Sequence, residues 1–380
     1  MSLKSCALGA LIFLASPVGF AQEPIAPEEL TVEKEIPDGE NVYVLSSSWA
    51  GASSVLVLSA DDLSYKGNIP AGLTPQVAML PGNEEGYIVS AFAERMMYGP
   101  VSAYLQKFDV KTLAFEQEVE MLPRMAQVAA QVTVLALSSD GKWAFVQNAT
   151  PATSVSVVKL SSGEVVDEIP NPGCWGIYPS TSGSKYSTLC GDGAMVTYVI
   201  GSDGKFLRQK ASEPIFDVET KPLFSNAQRD GINLMFISYD GSVVTVSDEG
   251  TEAVLRDEWK FNEGIEGNWA PGGYELSAFN EPNGILFVLM HSDAKDGSHK
   301  NGAEEMWALD IKNKKVLYRS AVEHIVNISV NQAKDKPLVF GTDSHDSGLY
   351  KYEVDPEAKF AAKLTAEFDL KGVGYLVAEK

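Results

Sequence analysis

The stretch SVSVVKLSSGEVVDEIP, residues 154–170, alternates β-branched with polar side chains, reverses at Ser161-Ser162-Gly163, and alternates again. A period of two places every second side chain on one face of a strand, and the Ser-Ser-Gly segment supplies the turn. The stretch therefore reads as a β-hairpin. The same pattern recurs as SVLVLSADDLSYKGNIP from Ser54, AYLQKFDVKTLAFEQEVEMLP from Ala103, AMVTYVIGSDGKFLRQKA from Ala194, GSVVTVSDEGTEAVLRDEW from Gly241, EMWALDIKNKKVLYRSAVE from Glu305 and GLYKYEVDPEAKFAAKLTAEF from Gly348. Shorter alternating runs lie between these hairpins. VTVLALSSDGKWAFVQN from Val132 and ELSAFNEPNGILFVLMH from Glu275 read as inner hairpins turning at Asp140-Gly141 and Asn283-Gly284.

One inner and one outer hairpin make a four-stranded sheet, and the units recur about every fifty residues, a spacing suited to propeller blades. Seven units and no competing helix-period segment predict an all-β fold, a seven-bladed β-propeller forming one domain over residues 22–380 with a short N-terminal arm. A pair of stacked β-sandwiches is the structural alternative. The interval between the fifth and sixth outer hairpins is the longest. It holds both EWKFNEGIEGNWAPGGYEL and HSDAKDGSHKNGAEE, which are expected to carry function or partner contact.

The opening MSLKSCALGALIFLASPVGFAQ has one early lysine, a short apolar run and small residues near Ala21, the pattern of a secretory signal peptide over residues 1–21. A retained anchor is the alternative, opposed by the polar, proline-broken EPIAPEELTVEKEIPDGE that follows. No later stretch reaches the ~20 apolar residues of a membrane-spanning helix. The expected location is the periplasm. The net charge of −21 becomes −22 once Lys4 leaves with the signal. So acidic a surface argues against nucleic acid and anionic membranes as partners.

Removal of Cys6 leaves Cys174 and Cys190, separated by fifteen intervening residues, in GCWGIYPSTSGSKYSTLCGDG. In an oxidising compartment, a Gly/Ser-rich reversal between two thiols suits a disulfide closing a hairpin. Catalytic or redox-exchanging cysteines usually come as CxxC or near a histidine, and neither is present.

Other chemistry is sparse. His291 and His299 flank Asp293 and Asp296, but HSDAKDGSH has neither calcium-loop nor HExxH spacing, so a solvated loop is expected there and no metal site. His324 reads as a packing residue beside IVNISV, and His345 as a turn residue. Ser182 and Lys185 match a Ser-x-x-Lys spacing without the helix and companion motifs that chemistry needs. Asn148-Ala149-Thr150 and Asn327-Ile328-Ser329 satisfy a glycosylation pattern, read as strand edge or turn. No GxSxG elbow, P-loop or dinucleotide fingerprint occurs, and no catalytic residue is assigned to this chain.

Several blocks resemble the heavy subunit of the quinoprotein amine dehydrogenases, most closely the aromatic (aralkyl) amine branch. They are VQNATPATSVSVVKL from Val146, GCWGIYP and TLCGDGAMVTYVIGSDGKF from Gly173, and NWAPGGYEL, FVLMHSDAKDGSHK and EMWALDI from Asn268. Weaker similarity covers VYVLSSSW from Val42 and FDVKTLAFEQEVEMLP from Phe108.

The resemblance implies a seven-bladed heavy subunit in a two-plus-two heterotetramer with a small, disulfide-rich light subunit. That partner would carry tryptophan tryptophylquinone and the catalytic base. The implied reaction oxidises a primary amine to an aldehyde and ammonia: the amine attacks a quinone carbonyl, a carboxylate removes the α-proton, and electrons leave singly to an azurin- or amicyanin-like blue-copper protein. Trp49 falls where the family lines its substrate channel; packing at a blade edge is the alternative. In ERMMYGPVSAY from Glu94, this sequence lacks the basic run that family members carry after the Glu-Arg pair.

Two other classes are weighed against this. One is a non-catalytic periplasmic propeller that binds or scaffolds a partner. The other is a lactonase-like propeller hydrolase with a central calcium, disfavoured because no set of axial carboxylates and asparagines is recognisable in the sequence.

Overall fold

β-Branched and aromatic runs favour strands, and Asp, Gly, Asn and Ser turns reverse the chain between them; strands inside the sheets, such as Trp143–Asn148 and Ile285–His291, are buried on both faces. The computed structural model describes residues 33–47, 52–79, 85–96, 98–343, 347–370 and 373–379. The signal segment, Trp49 and His345 lie outside these residues.

The strands β1 (Asn41–Ser47), β2 (Ser53–Ser59) and β3 (Tyr65–Ala71) form one sheet with the C-terminal strand Val373–Glu379. Next come β4 (Leu73–Met79), β5 (Glu85–Arg95), β6 (Tyr98–Asp109) and β7 (Phe115–Met121), then β8 (Leu135–Leu137), β9 (Trp143–Asn148), β10 (Ser154–Lys159) and β11 (Glu164–Pro170). A fourth sheet holds β12 (Cys174–Pro179), β13 (Lys185–Cys190), β14 (Met195–Ile200) and β15 (Phe206–Ala211). The fifth holds β16 (Leu223–Asp230), β17 (Asn233–Ser238), β18 (Ser242–Ser247) and β19 (Val254–Lys260). The remaining strands are β20 (Ala270–Pro271), β21 (Ser277–Asn280), β22 (Ile285–His291), β23 (Ala303–Asp310), β24 (Lys315–Val330), β25 (Leu338–Asp343), β26 (Gly348–Asp355) and β27 (Ala361–Asp369). The C-terminal strand is β28.

All seven expected outer hairpins form, as β2–β3, β6–β7, β10–β11, β14–β15, β18–β19, β23–β24 and β26–β27. The two inner hairpins form as β8–β9 and β21–β22. The all-β propeller therefore stands, but the count of seven separate blades is corrected. Among the described residues, hydrogen bonding gives five four-stranded blades and one eight-stranded sheet.

The reason lies in β24, which runs 16 residues without a break in strand structure. Its first half pairs with β23, from Lys315↔Asp310 to Ala321↔Glu305, and its second half with β25, from Ile325↔Asp343 to Val330↔Val339. The corner is His324, exposed and held at φ 51°, so the packing role expected of it is also corrected. Gly302 opposes that corner: a Cβ there would lie 2.7 Å from the His324 carbonyl oxygen.

Ring closure comes from β28, which pairs with β1 through Val44↔Val377. The sheets bury their faces against one another in successive clusters. Tyr43, Val57, Val77 and Ile88 pack between the first two sheets, Phe145, Tyr186 and Tyr198 between the third and fourth, and Phe340 and Leu349 against Val42 and Leu58 at the closure.

Cys174 and Cys190 stand directly opposite each other on β12 and β13 and are disulfide-bonded, as the spacing predicted. The same hairpin begins β13 with Lys185, whose buried ammonium donates to the carbonyls of Asp248 at 2.8 Å, Glu249 at 2.5 Å and Gly250 at 2.9 Å. All three N–H donors are thus engaged, which removes any Ser182–Lys185 nucleophile pair. Burial holds the Lys185 pKa below its ordinary value, against the pull of Asp248 and Glu249.

The double substitution Cys174→Ser/Cys190→Ser removes a crosslink over 16 residues of sequence. It should cost about 3 kcal/mol in a urea unfolding titration under oxidising conditions. A loss below about 1 kcal/mol would mean that the β12–β13 ladder alone sets the hairpin's stability.

Candidate functional site

In an antiparallel up-and-down sheet, the connections between sheets and the turns between second and third strands emerge on one face. Near that face, short polar side chains on or next to the innermost strands meet around the propeller axis.

Glu275, just before β21, is central to them. Its carboxylate accepts the Val132 N–H at 3.0 Å through Oε1 and the Asn226 side-chain amide at 2.5 Å through Oε2, while its own N–H donates to Asn327 Oδ1 at 3.1 Å. Asn226, on β16, accepts the Ser277 N–H at 3.1 Å. Asn327, on β24, donates to Thr342 Oγ1 at 2.9 Å and to the Gly374 carbonyl of β28 at 3.3 Å. On the other side, Gln76 of β4 accepts the Gln131 N–H at 2.8 Å, and Gln131 Oε1 accepts the Trp175 indole N–H of β12 at 3.1 Å.

This belt ties together residues that are far apart in sequence and draws on every sheet. The segment before β8, which supplies Gln131 and Val132, reaches across to partners from β4, β12 and Glu275. Burial pushes the Glu275 carboxyl up to about 7, against the lowering effect of its two donors. Tyr178, buried nearby, is pushed up by burial and by Glu275. The belt's polar groups bind one another, so the arrangement locks the axis and presents no free nucleophile or base.

The two long insertions of the sixth unit meet on the same face. Asn268 Nδ2 donates to the Ala294 carbonyl at 2.7 Å, the Ala294 N–H returns to the Asn268 carbonyl at 3.1 Å, and the Gly273 N–H reaches the His299 carbonyl at 3.0 Å. Gly273 takes φ +129°, and a Cβ there would sit 2.5 Å from the Val326 carbonyl oxygen, which explains the second glycine of WAPGGY. Beneath this knob, His291 is 2% exposed and neither ring nitrogen has a protein hydrogen-bond partner. Burial holds its pKa below the ordinary value, against the pull of Glu304 and Asp293. His299 instead stacks on Tyr239 at 4.6 Å between centroids. Among the described residues, no group of three or more His, Cys, Asp or Glu side chains is placed to hold a metal ion.

Behind the knob, Arg319 lies over both Trp269, at 4.5 Å, and Trp307, at 4.8 Å, and forms a two-pronged ion pair with Glu305. Glu305 also accepts the Trp307 indole N–H at 2.7 Å. Asn148 and Asn327 of the two glycosylation patterns are both 1% exposed and bonded inward, so neither acts as a strand-edge residue open to modification.

Sequence reasoning missed the belt. The expectation of no recognisable axial asparagines and carboxylates is corrected: Asn226, Asn327 and Glu275 are axial. They comprise one carboxylate and two amides already bonded among themselves, which is not the open cage a central calcium needs. The available signal was an asparagine in a first strand of a unit, flanked by residues that pack inward, as in LFSNAQRD and VNISV.

Fold and site together define a propeller scaffold whose axial polar groups close its own ring. The family profile described as methylamine dehydrogenase heavy chain matches residues 38–364, and the chain belongs to that family. It is 24% identical over 321 residues to the methylamine dehydrogenase heavy chain of Methylophilus methylotrophus, covering 83% of this chain and 78% of that one. It is 25% identical over 324 residues to the corresponding chain of Methylorubrum extorquens, covering 81% and 75%. These names specify methylamine and do not single out the aralkylamine branch. Among solved structures, a protein of Bacteroides uniformis assigned as a 6-phosphogluconolactonase superposes with a TM-score of 0.61 at 12% identity, covering 92% of this chain and 100% of that one. A Bacteroides fragilis counterpart gives 0.59 at 12%, covering 93% and 100%. At such identity the likeness concerns the fold alone.

Glu275 titrates near 7 when folded, above its ordinary 4.5, so the folded chain holds this proton more tightly than the unfolded chain. The stabilisation is fully present below about pH 4.5 and is lost as pH rises through about 7, up to about 3 kcal/mol. Urea unfolding at pH 4.5 and 8 should show that slope in the wild type and lose most of it in Glu275→Gln. Parallel profiles would remove Glu275 as the titrating group.

Proposed function

We propose that this chain is the heavy subunit of a periplasmic, tryptophan tryptophylquinone-dependent amine dehydrogenase that oxidises primary amines, chiefly aralkyl amines, to aldehyde and ammonia. The family match across residues 38–364 carries this reading. Heavy-chain membership implies a light-chain partner in a heterotetramer; the quinone, when bound, supplies the electrophilic carbonyl and accepts the electrons.

The described residues of this chain do not fit the quinone. The Trp269–Trp307 pair, 5.8 Å apart, is occupied by Arg319, and the adjacent carboxylate of Glu305 is bonded to Arg319 and an indole. We therefore assign the quinone and the base to the light subunit and give this chain the work of seating that subunit and lining its channel with Trp49. The eight-stranded sheet is read as two blades sharing β24, which restores seven blade equivalents. Export through residues 1–21 and single-electron delivery to a blue-copper protein complete the proposal. The aralkyl preference rests on the Cys-Trp and Cys-Gly-Asp-Gly blocks around Gly173 and on WAPGGY.

Purification from the native host should yield a short, cysteine-rich second chain with a visible chromophore bleached by phenylethylamine or tyramine. The ratio of kcat/KM should favour these amines at least ~10-fold over methylamine, about 1.4 kcal/mol of differential transition-state binding. The reverse ratio would replace the substrate class and keep the subunit. A colourless monomer would leave a non-catalytic scaffold in its place.

A further inference from the structure

Among the described residues, β5 and β6 are unlike the middle strands of the other sheets. They span 11 and 12 residues, against six to eight for the corresponding second and third strands of the other blades; only the shared strand β24, with 16, is longer. Pairing continues past Ala91↔Ala103 through Phe92↔Ser102 and Ala93↔Val101 to Arg95↔Tyr98. The extra four residues per strand lift the hairpin about 13 Å beyond the ends of ordinary blade strands. As a second-to-third connection, it rises on the face that carries the His291–Gly302 knob.

Its surface is apolar and aromatic. Met96 is 73% exposed and Tyr98 69%, and Phe92 is exposed at the base, where its ring meets Tyr104 edge-on at 5.8 Å. The Arg95 guanidinium lies 4.3 Å over the Tyr98 ring, holding both in place. A projecting ribbon gains nothing for the fold by displaying such side chains, and their contiguity marks a contact surface. Met, aromatic residues and Arg are the types enriched at the centres of stable interfaces, where Lys and Glu are depleted.

We infer that the β5–β6 hairpin is a docking arm whose apolar tip, centred on Met96 and Tyr98, seats the permanently bound light subunit. This rests on the heavy-subunit reading above. A light chain is the occupant because a permanent subunit contact favours desolvated apolar anchors, whereas a transient electron-acceptor encounter favours charged, steering surfaces. In a chain of net charge −21, the hairpin offers only Glu94 and Arg95, and Arg95 is already stacked on Tyr98.

The test compares the native heterotetramer with the separately exported heavy chain. Brief peroxide treatment should oxidise Met96 in the lone chain and at least tenfold more slowly in the assembly. Met96→Glu/Tyr98→Ser, at two exposed positions, should leave the lone chain's thermal midpoint unchanged and reduce light-chain retention at least tenfold. Equal Met96 oxidation in both forms, or undiminished assembly of the variant, overturns the docking arm and leaves the heavy-subunit reading standing. Protection of Met96 already in the lone chain overturns it too, since a segment of the same chain would then cover the tip. Failure of wild-type protein from the native host to bring any light chain overturns both readings.

Discussion

The pairing of β28 with β1 is the interaction on which the rest depends. A sheet meander of this length ends in two exposed strand edges at its innermost and outermost positions. Joining the C-terminal strand to the first strand turns an open array into a ring. Once the ring is closed, each sheet has a neighbour on both faces, and the clusters from Tyr43 to Phe340 bury against one another. Without closure the last sheet would offer Phe340 and Leu349 to water, and the axial belt would lose Gly374, the acceptor for Asn327 and Thr342.

The belt adds what apolar packing lacks, which is direction. Burial of Val and Leu side chains between sheets is tolerant of small rotations about the axis. A bond from the Val132 N–H to Glu275, with the next from Asn226 to the same carboxylate, is not. The cost is a desolvated carboxyl, expressed as its raised pKa. Lys185 does the same at the rim: its ammonium gathers three carbonyls of the segment after β18, and Arg229 completes the joint by binding the Asp248 carboxylate at 2.8 and 3.1 Å and the Pro179 carbonyl at 2.6 Å.

Local chemistry made the hairpins legible in the sequence. Ser154 to Pro170 shows alternation and a Gly163 turn without reference to anything else, and the Cys174–Cys190 pair needs only its spacing and the Gly/Ser-rich reversal between the two thiols. What could not be read was long-range. The fusion of two units through β24 depends on His324 adopting a left-handed backbone opposite Gly302, a contact across 22 residues of sequence that no periodicity signals. Glu275 looked like the first residue of an inner hairpin, and only the ring brings Val132, 143 residues away, to its carboxylate. Asn327 resembled a modification site because a tripeptide carries no information about burial.

A scaffold of this kind explains the scarcity of reactive groups better than the absence of a motif does. Replacing the belt by apolar side chains could raise stability, since a buried charge contributes little net free energy even when paired. Such a core would no longer distinguish one sheet-to-sheet rotation from another. The bonds of the belt hold the surface above the axis in one arrangement. The WAPGGY and His291–Gly302 segments that cap this surface are joined to each other by backbone bonds and to the axis through Glu275, the residue directly after Tyr274. Rigidity is therefore transmitted from the belt to this face over a single peptide, and the titrating carboxyl sits where loss of a bond would be felt at once in the caps above it.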